Sequence, residues 1–232
     1  MRKKYKHLFF DLDRTLWDFD SSARIAFREI FALHELGGKG VGDVGEFQAV
    51  YNRHNEMLWA QYREGKIRKE ELRSTRFLLT LREFGIDDPD LAVAIGDEYI
   101  RISPLRVALF PHAREILGYV REKYPVHMIT NGFSEVQQVK LRSSGLGEYF
   151  RTIITSEEAG HKKPDKRIFD YALNKTGAKP EESIMIGDDP DVDILGAREA
   201  GMDQVLFDPA GKHSRNGSTH YIRNLNELRK IF

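Results

Sequence analysis

The chain has 232 residues, about one and a half times the ~150 that guide a one-domain expectation, and 41% of them are hydrophobic, enough for a real core. Lys plus Arg and Asp plus Glu both total 36, so there is no global charge to draw a nucleic-acid polymer or an anionic membrane, and phosphate recognition must be local. With no cysteine, disulfides, thiolate catalysis and Cys-ligated zinc or iron–sulfur centres are excluded, leaving metal chemistry to oxygen or imidazole.

In chain order, Met1-Arg2-Lys3-Lys4 followed by Leu8-Phe9-Phe10 imitates a secretory signal. Asp11 cuts the apolar run well short of the roughly 7–15 residues an h-region needs, so the segment reads as the lead-in to a strand. No stretch approaches the ~18 apolar residues of a membrane span, and the expectation is a soluble, cytoplasmic protein. Residues 18–105 carry apolar side chains three and four apart, as in Phe27, Ile30 and Phe31, or Leu72, Leu79 and Phe84. Helices are expected over Ser21–Leu36, Asp43–Arg63, Lys69–Phe84 and Asp90–Ile102.

After a helix from Pro111 to Lys123, short apolar runs alternate with helical segments. The runs are Val126–Ile129, Ile153-Ile154, Ile184–Ile186 and Val205–Phe207; the helices are Glu135–Ser144, Lys166–Thr176 and Asp191–Ala200, the last entered through Pro190 and closed by Gly201. Short runs without polar alternation are strands buried on both faces. The alternation implies an α/β fold, a Rossmann-like parallel sheet formed by 1–17 and 106–232, with 18–105 inserted as a helical domain.

Four polar clusters fall at the strand ends: Asp11-Leu12-Asp13-Arg14-Thr15, Thr130-Asn131-Gly132, Lys162-Lys163-Pro164-Asp165, and Gly187-Asp188-Asp189-Pro190-Asp191-Val192-Asp193. Each taken singly is also ordinary turn, capping or surface-charge chemistry. Asp189-x-Asp191-x-Asp193 starts like an EF-hand loop, but Ile194 and Ala200 stand where that loop needs Gly and Glu. Together, the carboxyl ends of neighbouring parallel strands bring the clusters to one crevice, where unpaired like charges are costly. A divalent cation with oxygen ligands resolves that conflict, and Mg²⁺ meeting a substrate phosphate suits it best. Asp11 and Asp13 project to the same side of an extended segment, one to attack phosphorus and one to handle the proton.

The ordered motifs Asp-x-Asp-x-Thr, Thr-Asn-Gly, Lys-Pro and Gly-Asp-Asp-x-x-x-Asp resemble the haloacid dehalogenase (HAD) superfamily of aspartate-nucleophile hydrolases, with the helical segment similar to its C1 cap. Residues 11–19, 160–169 and 186–189 look most like the pyrimidine 5′-nucleotidase branch. The resemblance implies Asp11 as nucleophile, Asp13 as general acid and base, Thr130 with the backbone around Asn131 and Gly132 as phosphate cradle, and Lys163 as charge partner of Asp11. It implies Mg²⁺ held by Asp11, the Asp13 carbonyl and Asp188, with Asp193 as orienter and Asp189 as its competitor for direct ligation. Arg14 stands where the family commonly has Gly, so the loop is expected to form without a residue that favours positive φ.

The second acid, Asp13, favours phosphate-ester hydrolysis, because a leaving alkoxide needs a proton and a leaving halide does not. Arg73 and Arg76 on one helical face are candidates for a second anionic or carbonyl group of the substrate, and Trp17 and Phe19 for stacking on a base; each is also a reasonable structural residue. His112 and His127 read as structural. The expected partner is a small phosphate ester, with neither nucleic-acid polymer nor membrane, acting on a monomer or homodimer. The alternatives are a phosphate mutase on the same scaffold and, in another class, a receiver-like phospho-accepting module. The motif order suits the latter poorly, since its acidic pair precedes an acceptor Asp on a middle strand.

Overall fold

The computed structural model describes residues 5–213 and 217–232; the basic lead Met1–Lys4 lies outside them. In chain order the main elements are β1 (His7–Phe10), α1 (Phe19–Leu33), α2 (Val44–Arg63), α3 (Lys69–Glu83), α4 (Pro89–Ile102), α5 (Ala113–Arg121), β2 (Val126–Thr130) and α6 (Ser134–Ser144). They continue with β3 (Thr152–Thr155), α7 (Ser156–Ala159), α8 (Lys166–Thr176), β4 (Ser183–Gly187), α9 (Leu195–Glu199), β5 (Asp203–Phe207) and β6 (His220–Ile222). The chain divides into two compact units, 1–19 with 108–232 and 20–107. No helix of the described residues is long and apolar enough to cross a membrane.

The first unit is an α/β Rossmann-like fold, a sheet in the order β3-β2-β1-β4-β5-β6 with every pairing parallel. Its central strands β1, β2 and β4 are buried along almost their whole length, and Leu8–Phe10 and Ile184–Ile186 are unbroken apolar runs because both faces are covered. Phe9, Ile129, Ile154 and Met185 pack with Ile168, Phe169 and Leu173 of α8 and Ala197 of α9. The order sets β2 and β3 on one side of β1 and β4 to β6 on the other, so the carboxyl ends of β1, β2 and β4 surround a topological switch point. The edge strand β6, only three residues long, was too short for the sequence pattern to show.

The second unit is α1 to α4 around an aromatic core, with Phe27 and Tyr51 ring centroids 4.8 Å apart and Tyr51 and Phe77 5.1 Å apart. Asp43 and Asp88 start α2 and α4 by accepting backbone N–H bonds.

One local expectation needs correction. The helix expected from Pro111 starts at Ala113, because His112 adopts a left-handed φ of 68° and is exposed rather than part of the core. The loop after β1 is formed without a glycine, as expected: Arg14 itself takes a left-handed φ, 67°, at a cost of about 1–2 kcal/mol. The Arg14 guanidinium lies 5.2 Å from the Phe19 ring centroid.

Candidate active site

Asp11 follows the last residue of β1, and its N–H continues the ladder to the Ile186 carbonyl at 2.9 Å. Thr130 ends β2, and Gly187 ends β4, which brings Asp188 beside Asp11. Lys163 arrives on the loop before α8. Asn131 fixes that loop by reading both sides of the Lys163 backbone, accepting from its N–H at 2.8 Å and donating to its carbonyl at 2.9 Å. Asp193 lies in a π-helical turn, Pro190–Ile194, which Asp189 caps by accepting from Asp191 N and Val192 N at 2.9 and 3.0 Å.

The Lys163 ammonium donates to Asp11 Oδ1 and Asp193 Oδ1, both at 2.6 Å. Burial alone would lower the Lys163 pKa, but Asp11 and Asp193 raise it, and the side chain stays charged. Burial pushes the Asp11 carboxyl up to about 7, with Lys163 opposing and Asp193 adding to the rise. Burial also raises Asp193 against the pull of Lys163. Asp188 is raised well above the carboxylate range by burial and then by Asp193, Asp11 and Asp189, with Arg14 giving partial relief. Its Oδ1 accepts from the Thr15 hydroxyl at 3.1 Å.

Asp11, Asp188 and Asp193 each offer an oxygen within 4.8 Å of the others. One ammonium serves two of these carboxylates, while Asp188 carries the largest burden of like charge. An all-oxygen, charge-deficient donor set of this kind fits a hard divalent cation. Asp189 is not part of that group, and its Oδ1 accepts the two N–H groups that start the turn. Asp193 approaches through Gly187, where a Cβ would fall 2.4 Å from the Asp193 carboxylate.

Asp13 lies apart from the triad. Its Oδ1 accepts from Lys140 Nζ and its Oδ2 from Gln137 Nε2 at 2.7 Å, both from α6. Thr130 Oγ1 accepts from Gly132 N and Gln137 Nε2, each at 3.0 Å, which leaves its hydroxyl proton to donate. The sequence reading passed over Gln137 and Lys140; their i, i+3 spacing on the helix after Thr130-Asn131-Gly132 was the available signal.

The other candidates are engaged elsewhere. Trp17 is fully buried, and the Lys140 ammonium lies 5.3 Å from its ring centroid, so the indole has no open face for a base. Within the helical unit, Arg76 is buried, donates to Asn55 Oδ1 at 2.9 Å and lies over Tyr51, Phe77 and Tyr99. Arg73 pairs with Asp97 at 2.8 Å, tying α3 to α4. These contacts give both arginines a role inside their own unit.

A family profile for haloacid dehalogenase-like hydrolases matches residues 5–201. The chain is 30% identical to the HAD-hydrolase YfnB of Bacillus subtilis (strain 168), across 99% of this chain and 96% of that one. It is 33% identical to the pyrimidine 5′-nucleotidase YjjG of Escherichia coli (strain K12), covering 98% of each. It is 34% identical to a glyceraldehyde 3-phosphate phosphatase of Methanothermobacter thermautotrophicus, over 87% of this chain and 84% of the relative. The crystal structure of YfnB bound to magnesium superposes with a TM-score of 0.88 over 99% of both chains.

Proposed function

The chain belongs to the haloacid dehalogenase-like hydrolases and is a phosphatase; from that premise we propose that it is a Mg²⁺-dependent phosphomonoesterase that carries the phosphoryl group on Asp11. The observation that carries this reading is the different treatment of two carboxylates two residues apart. Asp11 is buried against Lys163 beside Asp188, while Asp13 is turned away to α6. Two environments give two roles.

In the first step an Asp11 carboxylate oxygen bonds to phosphorus, the ester P–O bond breaks, and Asp13 passes its proton to the leaving oxygen. In the second, Asp13 takes a proton from water, the water oxygen bonds to phosphorus, and the Asp11–phosphorus bond breaks to release phosphate. Thr130 donates its hydroxyl proton to a phosphoryl oxygen, with the backbone N–H of Asn131 beside it, while the Gly132 N–H holds the Thr130 hydroxyl in place. Lys163 holds Asp11 in place and offsets the gathered charge. Asp11, Asp188 and the Asp13 carbonyl would hold Mg²⁺, with Asp193 orienting Lys163. The ion would supply positive charge to the phosphoryl oxygens.

Small phosphate esters are the substrate class, with nucleoside 5′-monophosphates first because YjjG, similar over nearly the whole chain, is a pyrimidine 5′-nucleotidase. The similarity to a glyceraldehyde 3-phosphate phosphatase favours triose phosphates as the second choice. With Mg²⁺, the protein should release phosphate from an aryl phosphate, and Asp11→Asn should abolish release with the fold intact. A panel of UMP, dUMP, dTMP, purine monophosphates and sugar phosphates, ranked by kcat/KM, separates the substrate readings. Undiminished turnover by Asp11→Asn would remove Asp11 from its role.

A further inference from the structure

Both donors that hold Asp13 come from one face of α6, and both are buried: Gln137 is 1% exposed and Lys140 5%. A buried ammonium needs compensation. Lys140 has it from the Asp13 carboxylate and from the rings of Trp17 and Phe19, 5.3 and 5.6 Å from Nζ. The burial of Trp17 thus provides the floor on which this cation rests.

Gln137 is oriented with equal definition. Its Nε2 bridges Asp13 Oδ2 and Thr130 Oγ1, while its buried Oε1 finds no partner among the described residues. Reversing the amide would set a carbonyl oxygen against a carboxylate, so Asp13 decides the orientation at the expense of Oε1. Gly132 provides the room, since a Cβ there would fall 1.8 Å from Gln137 Nε2. A carboxylate's terminal torsion is otherwise broad. Here a donor on each oxygen fixes it.

We infer that Lys140 and Gln137 are positioning residues that aim the Asp13 carboxyl at the leaving-group oxygen, and thereby set how well the enzyme cleaves esters of poor leaving groups. This rests on Asp13 being the proton donor proposed above. Lys140 occupies Oδ1, so the proton to be delivered is carried on Oδ2. As a hydroxyl, that oxygen still accepts from Gln137 while it donates to the ester oxygen. The Asp13 O–H bond breaks as the leaving oxygen gains its hydrogen. Positioning of this kind is worth nothing to a leaving group that departs unprotonated.

The test is kcat/KM on the fastest alkyl ester of the panel and on 2,4-dinitrophenyl phosphate, for wild type, Asp13→Asn, Lys140→Met, Gln137→Leu and Lys140→Arg. This parameter reports the steps through transfer to Asp11 and excludes the later attack by water. Lys140→Met should lose about 10²-fold or more on the alkyl ester, within the usual range for general acid catalysis, and less than about tenfold on the dinitrophenyl ester. Gln137→Leu should show a smaller skew in the same direction, and Lys140→Arg should recover part of the loss. Because a misfolded fraction lowers both substrates equally, the ratio stays informative even if a variant folds poorly. A skew in Asp13→Asn with equal losses in Lys140→Met overturns the proposal. No skew in Asp13→Asn overturns the reading of Asp13 itself, and this proposal with it.

Discussion

Lys163 Nζ donates to Asp193 Oδ1 at 2.6 Å with both side chains only 2% exposed, so each charge is compensated from within the protein. The same ammonium reaches Asp11. Truncating one partner of a buried pair costs about 3–5 kcal/mol, because a charge is left uncompensated. Lys163→Met should therefore lose stability in urea unfolding by about that amount, together with nearly all phosphate release. Adding Asp193→Asn to it should return part of the stability and none of the activity. Simple addition of the two single-variant losses would mean that the pair is not coupled.

The carboxylate cluster makes an opposite prediction for Asp188, whose pKa is raised by burial and by Asp193, Asp11 and Asp189, so that its negative charge is held at a cost. In EDTA, Asp188→Asn should melt above wild type, since it removes a crowded charge. With Mg²⁺ the order should reverse, because ligand at about 100 times its Kd stabilises the wild type by about 2.7 kcal/mol and the variant has lost a ligand. Thermal unfolding with and without Mg²⁺ reads both. A wild-type Tm unmoved by millimolar Mg²⁺ would contradict the assignment.

Away from the site, His127 is buried against Phe9 and His7, with ring centroids 4.8 and 5.4 Å away. Burial, then His7 and Arg151, lowers its pKa from an ordinary 6.5 to about 4. Between those values the unfolded chain binds the extra proton and the folded one does not, so stability rises with pH. The contribution is complete above about 6.5 and is lost as pH falls toward about 4. His127→Phe should flatten that part of the curve of unfolding free energy against pH, measured by urea titration from pH 7.5 to 4.5. An unchanged slope would assign the acid sensitivity to the carboxylates.

The sheet was legible because its strands are buried on both faces: Leu8–Phe10 and Ile184–Ile186 carry no polar alternation, the first followed directly by Asp11 and the second by Gly187-Asp188. The convergence of Asp11, Asp188, Asp193 and Lys163 followed from the geometry of parallel strands. Two things did not. Asp189 and Asp193 offer the same chemistry on paper, and only the π-helical turn separates a cap from a carboxylate facing Lys163. Gln137 and Lys140 look like a helix surface until α6 is laid beside the loop after β1, where Trp17 and Asp13 make a buried place for an ammonium. Arg14 shows the limit of reading residue type alone, since the loop takes φ 67° without a glycine and places a guanidinium where it relieves Asp188.

The most direct test of the account is chemical trapping of the phosphoryl group. Protein mixed with Mg²⁺ and an excess of substrate, quenched during turnover and reduced with borohydride, should yield homoserine at position 11 by peptide mass spectrometry. The conversion should be absent without substrate and in Asp11→Asn. Full turnover that leaves Asp11 unmodified, or an adduct found on another residue, would contradict it.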